Sequence, residues 1–337
     1  MSKTMSKTIG FGVIGAGLIG SLHARNIASR IAGASLVGVM DINLATAEKY
    51  AFGQAYATQD LDKLLEDPQV DAVLIASLTS LHSQHIQKAA EAGKAIFCEK
   101  PVAIDIDETR RVMQLVNEKQ IPFQIGFQRR FDPGYADLAR RLREGEMGKV
   151  EMFRSQSSDP KPAPEHYIAS SGGIYIDSVI HDIDVARFMV GEVRRVTALG
   201  RNLVDPVYGR HKDIDISILT LEFENEAIGL IQNSRRTPHG YDLRVEVHCE
   251  KGKLVTEDER QTKIWRYDEK GIHGDYFYYF MQRFDDAYRQ EVQAFVDALN
   301  KGETTKPGTQ DAIESLRVAV AATKSLHEGR SVLVSEI

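Results

Sequence analysis

The chain has 337 residues, of which 42% are hydrophobic and 27% are charged, and its formal net charge is -6. A single hydrophobic core normally stops growing below this length, so two domains are expected. No apolar run approaches the roughly 20 residues that cross a bilayer, and no basic stripe matches a phosphate backbone. The composition therefore predicts a globular protein with neither a membrane span nor a nucleic-acid partner.

The amino terminus and the cysteines indicate the compartment. Met1 to Thr8 is polar, repeats the letters MSKT and lacks the apolar core of a secretory signal. Cys98 and Cys249 lie far apart, without the close spacing of a zinc site or a redox motif. We expect both to be small core residues of a cytoplasmic protein that has no disulfide framework and no metal site.

The first third of the chain alternates short apolar runs with helical stretches, which is typical of βαβ units around a parallel sheet. This pattern predicts an α/β fold that begins with a doubly wound domain over residues 1–128. The predicted strands are Ile9 to Ile14, Ser35 to Met40, Ala72 to Ala76, Ala95 to Cys98 and Phe123 to Ile125, and the predicted helices include Leu18 to Ser29 and His82 to Ala92.

After Met147-Gly148 polar and apolar residues alternate, which is typical of half-buried antiparallel strands. We predict an α+β domain over residues 129–337 with a large open, mainly antiparallel sheet, whose last helices are candidates to pack back on the first domain. Its predicted strands include Asp215 to Phe223, Ala227 to Ser234, Asp242 to His248 and Thr262 to Tyr267, and its last helices are Phe284 to Leu299 and Gln310 to His327, separated by Lys306-Pro307-Gly308.

A glycine-rich turn follows the first predicted strand directly. Gly15-Ala16-Gly17-Leu18-Ile19-Gly20 connects that strand to a helix, which is the context in which GxGxxG binds a dinucleotide. The first glycine permits the tight turn, the second lets the backbone approach the pyrophosphate, and the third allows close packing of helix on strand. The alternative is a purely structural glycine turn that connects a strand to a helix and binds no ligand.

Asp41 ends the second predicted strand and bears on the choice of cofactor. It lies 24 positions beyond Gly17, close to the spacing of about 20 residues at which a carboxylate binds the adenosine ribose. Asp41 could instead cap the next helix, a role that Asn43 could also fill. A carboxylate repels a 2′-phosphate and no arginine lies in residues 42–47, so NAD is preferred over NADP.

Two further clusters suggest chemistry. Glu99-Lys100-Pro101 follows a predicted strand at the sheet edge where open α/β proteins bind ligands, so Lys100 could donate to a reacting oxygen. A helix from about Ile174 would place Asp177, His181 and Asp184 on one face, where the imidazole could accept a hydroxyl proton and a carboxylate could orient it. The alternatives are a solvated loop lysine and a surface helix with ordinary acid–histidine pairs.

With these residues in place, the sequence resembles the Gfo/Idh/MocA oxidoreductase family over nearly the whole chain and, within it, the inositol dehydrogenases. The motifs that carry the resemblance are Gly15 to Gly20, Thr79-Ser80-Leu81-His82, Glu99-Lys100-Pro101, Gly172 to Asp184 and His239 to Glu246. The resemblance implies a Rossmann domain, a second domain with an open sheet that often mediates oligomers, and an active site between them. It also implies a homotetramer and NAD-dependent oxidation of a polyol hydroxyl, with inositol as the expected substrate.

The resemblance assigns site residues as well. The residues matching the catalytic positions are Lys100, Asp177 and His181, with the histidine as base, the aspartate as its support and the lysine polarising the reacting oxygen. The expected cofactor-binding residues are Gly15, Ala16, Gly17, Leu18, Ile19, Gly20, Asp41, Ser77, Thr79, His82, Glu99, Lys100 and Gln128. The expected substrate-binding residues are Lys100, Gln128, Asp159, Asp177, His181, Asp184 and Tyr241.

One segment departs from the family pattern. The expected loop Ser155 to Ala163 carries the letters SQSSDPKPA, where many inositol enzymes have Arg-Asn or His-Arg. Asp159 could contact a substrate hydroxyl or form a simple Asp-Pro turn. The departure leaves a sugar dehydrogenase or reductase of the same family as an alternative, and a catalytically silent NAD-binding regulator as a more distant one.

Overall fold

The computed structural model describes residues 7–257 and 259–337. The start of the MSKT repeat lies outside these residues. The described chain divides into two compact units, one containing residues up to Gln128 together with Asp286–Glu314, and the other containing Arg129–Asp285 and Ser315–Ile337. Within the described ranges no helix combines the length and apolar character needed to cross a membrane.

The first unit contains a six-stranded parallel sheet in the order β3-β2-β1-β4-β5-β6. The doubly wound arrangement and all five predicted strands are confirmed, with the short edge strand β3 in addition. The strands are β1 (Ile9–Ile14), β2 (Ala34–Met40), β3 (Tyr56–Thr58), β4 (Ala72–Ile75), β5 (Ala95–Glu99) and β6 (Phe123–Gly126), and the helices are α1 (Leu18–Ser29), α2 (Leu44–Tyr50), α3 (Leu61–Glu66), α4 (Thr79–Glu91) and α5 (Ile106–Glu118).

The central strands of this sheet are buried on both faces because helices cover both sides. Every residue of β1 and β4 is buried, which explains their uninterrupted apolar sequences. Phe295, from a late helix, belongs to the same core and makes edge-to-face contacts with Phe11 and Phe97. Part of the carboxyl-terminal region therefore contributes to the core of the first unit.

The second unit contains a seven-stranded sheet in the order β12-β11-β7-β10-β9-β8-β15 and a separate hairpin of β13 and β14. Its strands are β7 (Val150–Ser158), β8 (Val193–Arg201), β9 (Ile216–Phe223), β10 (Ile228–Ser234), β11 (Asp242–Cys249), β12 (Gly252–Thr256), β13 (Arg260–Asp268), β14 (Gly271–Tyr276) and β15 (Val332–Leu333), and its helices are α6 (Pro133–Arg143), α7 (Glu165–Ile168), α8 (Ile180–Met189), α9 (Pro206–Arg210) and α10 (Phe280–Arg283). Two long helices, α11 (Asp285–Lys301) and α12 (Thr309–Glu328), follow, and a short 3-10 helix (Val334–Glu336) comes after β15.

The predicted open, mainly antiparallel sheet is confirmed, with one parallel pair, but the predicted strand Thr262 to Tyr267 does not belong to it. That segment lies in β13, which pairs with β14 in the separate hairpin. Alternate residues of β9 are buried, as the sequence pattern indicates, but β10 runs parallel to β7. The expected loop Ser155 to Ala163 is wrong in its first half, since residues 155–158 belong to β7. Polar side chains occupy inward positions of that strand, so its sequence lacks the alternation of polar and apolar residues that predicts a half-buried strand.

The expected regular helix from Ile174 is also wrong at its start. Tyr175–Val179 forms a π-helical turn, and the α-helix α8 begins only at Ile180. A π turn widens the helix and rotates the side chains that follow it, so the simple spacing argument for one shared face does not hold. Such turns occur frequently at functional sites.

Candidate functional site

The glycine-rich turn between β1 and α1 has the shape that its sequence predicts. Gly15 has φ +88°, and a Cβ there would lie 2.6 Å from Ser77 Cα. A Cβ on Gly20 would lie 1.9 Å from Gly15 O, so the helix approaches the strand as closely as the motif requires. A Cβ on Gly17 would meet nothing within 4 Å, which leaves open space at the start of α1. These contacts fit a dinucleotide whose pyrophosphate approaches Gly17.

The two glycines make a matched pair of substitutions. Gly17→Ala should leave the melting temperature unchanged because no atom is displaced, yet it should weaken NAD binding by obstructing the pyrophosphate. Gly20→Ala should lower the melting temperature strongly, since its Cβ overlaps a backbone oxygen. Thermal unfolding and NAD titration by fluorescence quenching check both results. An unaltered NAD affinity in Gly17→Ala would contradict the prediction that the pyrophosphate lies at Gly17.

Asp41 follows β2 and faces the glycine turn. One of its carboxylate oxygens accepts a hydrogen bond from Ala16 N at 2.8 Å, and the other accepts from Asn43 N at 2.9 Å. The Asn43 side chain caps α2 by accepting from Thr46 N. The capping role therefore belongs to Asn43, and Asp41 is held beside the turn in the position expected of a ribose ligand.

The other expected cofactor residues surround β4, β5 and the start of α4. His82 is buried, with Nδ1 2.8 Å from Pro101 O and Nε2 3.0 Å from Ser77 O. Burial lowers the pKa of His82, which favours the neutral ring. Thr79 begins α4 and is half-buried. A neutral ring carries a single N–H, so His82 donates to one of these two carbonyls and packs against the other, between the Ser77 turn and the segment after β5.

Glu99 and Lys100 lie where β5 ends. Glu99 is the last residue of the strand and Lys100 follows it half-buried, while Gln128 lies buried just beyond β6. His23 Nε2 lies 2.8 Å from Glu99 Oε1, which links α1 to the strand that presents Lys100. The position of Lys100 at the carboxyl end of a parallel strand agrees with the expected place for ligand contacts.

A second carboxylate, which the sequence did not reveal, lies beside this pair. Glu291 of α11 is fully buried, 3.9 Å from His23 Nε2, and neither of its carboxylate oxygens has a hydrogen-bond partner among the described residues. The ligand atoms of His23, Glu99 and Glu291 all lie within 4.8 Å. A metal-binding histidine normally donates its other N–H, yet His23 Nδ1 has no partner in the described parts of the chain. The cluster therefore suits a bound proton better than a metal ion.

Glu291 should make stability depend on pH. Burial, reinforced by the charge of Glu99, raises the pKa of Glu291 well above its usual range. The native state therefore holds this proton more tightly than the unfolded chain does, and stability is lost as pH rises above about 4.3. Glu291→Gln should be more stable than the parent by about 1–3 kcal/mol at alkaline pH and equal to it in acid.

Thermal unfolding over a pH series measures this difference. Glu303→Gln, at an exposed position in the same unit, is the matched control and should follow the parent at every pH. A constant offset between Glu291→Gln and the parent at all pH values would contradict a protonated Glu291.

The second unit holds Asp177 and His181, the residues expected to act as an acid–histidine pair. Asp177 lies in the π turn and is buried, and His181 follows four residues later in α8, half-buried. Tyr167 OH donates to one Asp177 oxygen at 2.5 Å, and an Arg235 guanidinium N–H donates to the other at 2.7 Å. The orientation of the Asp177 carboxylate is therefore set by donors from two distant segments.

Asp159 and Tyr241 lie in the same unit. The Asp159 carboxylate accepts from Arg235 at 3.0 Å, while its backbone bonds to Ser234 and Thr237. It is thus both a turn residue and a neighbour of the Asp177 cluster. Tyr241 OH lies 3.4 Å from an Arg129 nitrogen, and burial raises its pKa above the usual range, so the phenol stays protonated.

Asp184 is placed in a separate network. Arg130 donates to both of its carboxylate oxygens at 2.7 and 2.8 Å, and Ser315 adds a third donor at 3.1 Å. Its side chain is only 1% exposed. The structure therefore groups Asp159 with Asp177 through Arg235 and places Asp184 in a different set of contacts within the unit.

Three residues of this unit escaped the sequence analysis. Arg235 and Tyr167 contact Asp177 directly, but they lie 58 and 10 positions away and outside any recognised motif. Asp182, between His181 and Asp184, is completely buried and accepts four hydrogen bonds. The donors to Asp182 are Arg129, Ser155, Ser157 and Asn233. The serines of the SQSS sequence were the available signal, because they alternate along one face of β7.

The chain matches two family descriptions that together span nearly all of it. Residues 9–127 match the oxidoreductase family's NAD-binding Rossmann fold, and residues 139–334 match its carboxyl-terminal alpha/beta domain. The chain belongs to the Gfo/Idh/MocA oxidoreductase family. The resemblance noted from its motifs is confirmed, and NAD is the cofactor of the matched Rossmann domain.

Similar proteins cover the whole chain. The myo-inositol 2-dehydrogenase of Thermotoga maritima is 38% identical over 97% of this chain and 98% of its own. A myo-inositol dehydrogenase structure from Corynebacterium glutamicum has a TM-score of 0.93 at 34% identity, with 97% of this chain and 98% of that one covered. A scyllo-inositol dehydrogenase from Lactobacillus casei, solved with NAD(H) and scyllo-inositol, has a TM-score of 0.90 at 29% identity, with 98% of this chain and 100% of that chain covered.

Proposed function

We propose that this protein is an NAD-dependent dehydrogenase that oxidises a secondary hydroxyl of myo-inositol or a related cyclitol to the ketone. The observation that carries the proposal is the Asp177 carboxylate, held by Tyr167 and Arg235 four residues before His181. A carboxylate fixed in this way can support a histidine that accepts a proton. The full-length relatives that are named inositol dehydrogenases support a cyclitol as the substrate.

The proposed roles follow from the chemistry of each side chain. His181 accepts the substrate hydroxyl proton, Asp177 stabilises the charged ring, and the Lys100 ammonium favours negative charge on the reacting oxygen. Bound NAD supplies the acceptor for the hydride. We propose that its pyrophosphate lies at Gly17 and its ribose at Asp41, which the open space at Gly17 and the contact of Asp41 with Ala16 N support. We also propose substrate contacts for Asp159, Asp184, Tyr241 and Gln128, as the resemblance implies.

The test is NADH formation with myo-inositol, scyllo-inositol, D-chiro-inositol and D-glucose in parallel, each repeated with NADP. Turnover of one inositol with NAD, and little with NADP, is the expected result. Activity on glucose alone would move the substrate to the sugar alternative. NAD binding without turnover of any of these compounds would instead support the non-catalytic alternative.

The proposal extends to the setting of the enzyme. We propose a cytoplasmic homotetramer that serves inositol breakdown. Its cofactor domain covers residues 1–128, joined by residues 286–314 of the last helices, and the rest of residues 129–337 forms the substrate domain. The family resemblance supports the tetramer, and the two separate buried cysteines fit a reducing compartment. Light scattering of the purified protein tests the subunit number.

A further inference from the structure

Arg235 connects two carboxylates of the second unit. It follows β10 directly, is only 6% exposed, and donates to Asp177 at 2.7 Å and to Asp159 at 3.0 Å from its two terminal nitrogens. Its peptide N–H donates to Asp215 O at 2.9 Å, which fixes the backbone that carries the side chain. The guanidinium therefore bridges Asp177 and Asp159 from an anchored position.

The bridge contributes to the orientation of the Asp177 carboxylate from outside its helix. Asp177 receives Tyr167 OH on one oxygen and Arg235 on the other, and these donors come from α7 and from the end of β10. Carboxylate planes held by two charge-assisted or hydroxyl donors have little rotational freedom. Loss of Arg235 would remove the charged donor from one of the Asp177 carboxylate oxygens.

Arg235 carries one positive charge but contacts two carboxylates. Two carboxylates share one guanidinium, and burial raises the pKa of Asp159 while Arg235 opposes that rise. Without the guanidinium, two neighbouring carboxylates would lack their shared cation, and the pair would take up a proton more readily. Such a proton would reduce the ability of Asp177 to stabilise a charged His181.

We propose that Arg235 is a positioning residue for the reaction, one that fixes Asp177 by sharing its guanidinium between Asp177 and Asp159. The inference rests on the proposed function, in which Asp177 supports His181. It gives Asp159 a specific part: its carboxylate holds the far end of the guanidinium, so Asp159 acts on the reaction through Arg235.

The experiment compares Arg235→Gln, Asp159→Asn and the double variant by kcat, KM and the pH dependence of kcat. Arg235→Gln should lower kcat about 10–100-fold, with a smaller change in KM, as is usual when a supporting contact is lost. In this variant the fall of kcat at acidic pH, the acidic limb of the profile, should begin at a higher pH. Without the Arg235 charge the two carboxylates bind a proton more readily, and they must lose that proton before the enzyme is active. The double variant should return the limb toward that of the parent, since only one carboxylate remains.

A matched control distinguishes this effect from a loss of packing. Arg283 belongs to the same unit, is largely buried, and donates to Asp132 at 2.6 Å, whereas Arg235 donates to Asp177 and Asp159. Arg283→Gln should lower the melting temperature while leaving the acidic limb in place. An unmoved limb in Arg235→Gln, or an equal movement in Arg283→Gln, would overturn the inference.

A second measurement does not require turnover. If the parent enzyme oxidises none of the cyclitols or sugars, the proposed function fails, and the Arg235 bridge is then judged from thermal unfolding. Asp159→Asn should recover part of the melting temperature that Arg235→Gln loses at neutral pH, since it removes one of the two uncompensated charges. If the loss of melting temperature in the double variant equals the sum of the losses in the two single variants, Arg235 and Asp159 are not coupled, and the inference is wrong.

Discussion

His181→Ala should lower kcat about 10²–10⁴-fold while leaving the dissociation constant of NAD unchanged. The imidazole is the proposed acceptor of the hydroxyl proton, and alanine offers no substitute base. The residues proposed to bind NAD, the glycine turn and Asp41, lie in the other unit. Steady-state kinetics combined with a fluorescence titration of NAD separates the two quantities.

The control for this substitution is another histidine beside a carboxylate. His273 of β14 has its Nε2 3.4 Å from Asp268 in the separate hairpin, so His273→Ala removes an imidazole near a carboxylate without changing the proposed residues. It should keep the parental kcat. Near-normal turnover in His181→Ala, or an equal loss in His273→Ala, would take the proton-accepting role away from His181.

The parts of the fold that the sequence predicted well are those where local patterns determine the structure. β1 and α1 have the predicted bounds because a fully buried strand, a glycine turn and a helix follow each other without interruption. The capping ambiguity at Asp41 and Asn43 needed the structure, since both residues can cap a helix. Asn43 is the N-cap of α2, and the Asp41 carboxylate accepts a hydrogen bond from Ala16 N instead.

The parts that escaped prediction depend on polar residues facing inward. Ser155 and Ser157 alternate along β7 as apolar residues would, but both donate to Asp182, so a search for apolar alternation assigns them to a loop. Arg235 escaped for a different reason. Its contacts with Asp177 and Asp159 join segments that are far apart in sequence, and no local spacing indicates such a pairing.

Asp182→Ala should produce the largest loss of stability in the second unit, about 3–5 kcal/mol. Asp182 is completely buried, and its removal would leave the Arg129 guanidinium without its closest counter-charge at 2.8 Å. It would also remove the acceptor for the hydroxyls of Ser155 and Ser157. Each buried donor left unsatisfied adds its own desolvation cost.

Denaturant unfolding followed by circular dichroism measures this loss, and Asp137→Ala is the control. Asp137 also contacts two arginines, Arg140 and Arg141, but at the exposed surface of α6, where solvent screens such pairs and they add little to stability. Because both substitutions delete an aspartate bound to arginine, burial is the main difference between them. A similar loss in the two variants would mean that the Asp182 network contributes no more than a surface ion pair, and that the polar interior facing β7 has another source of stability.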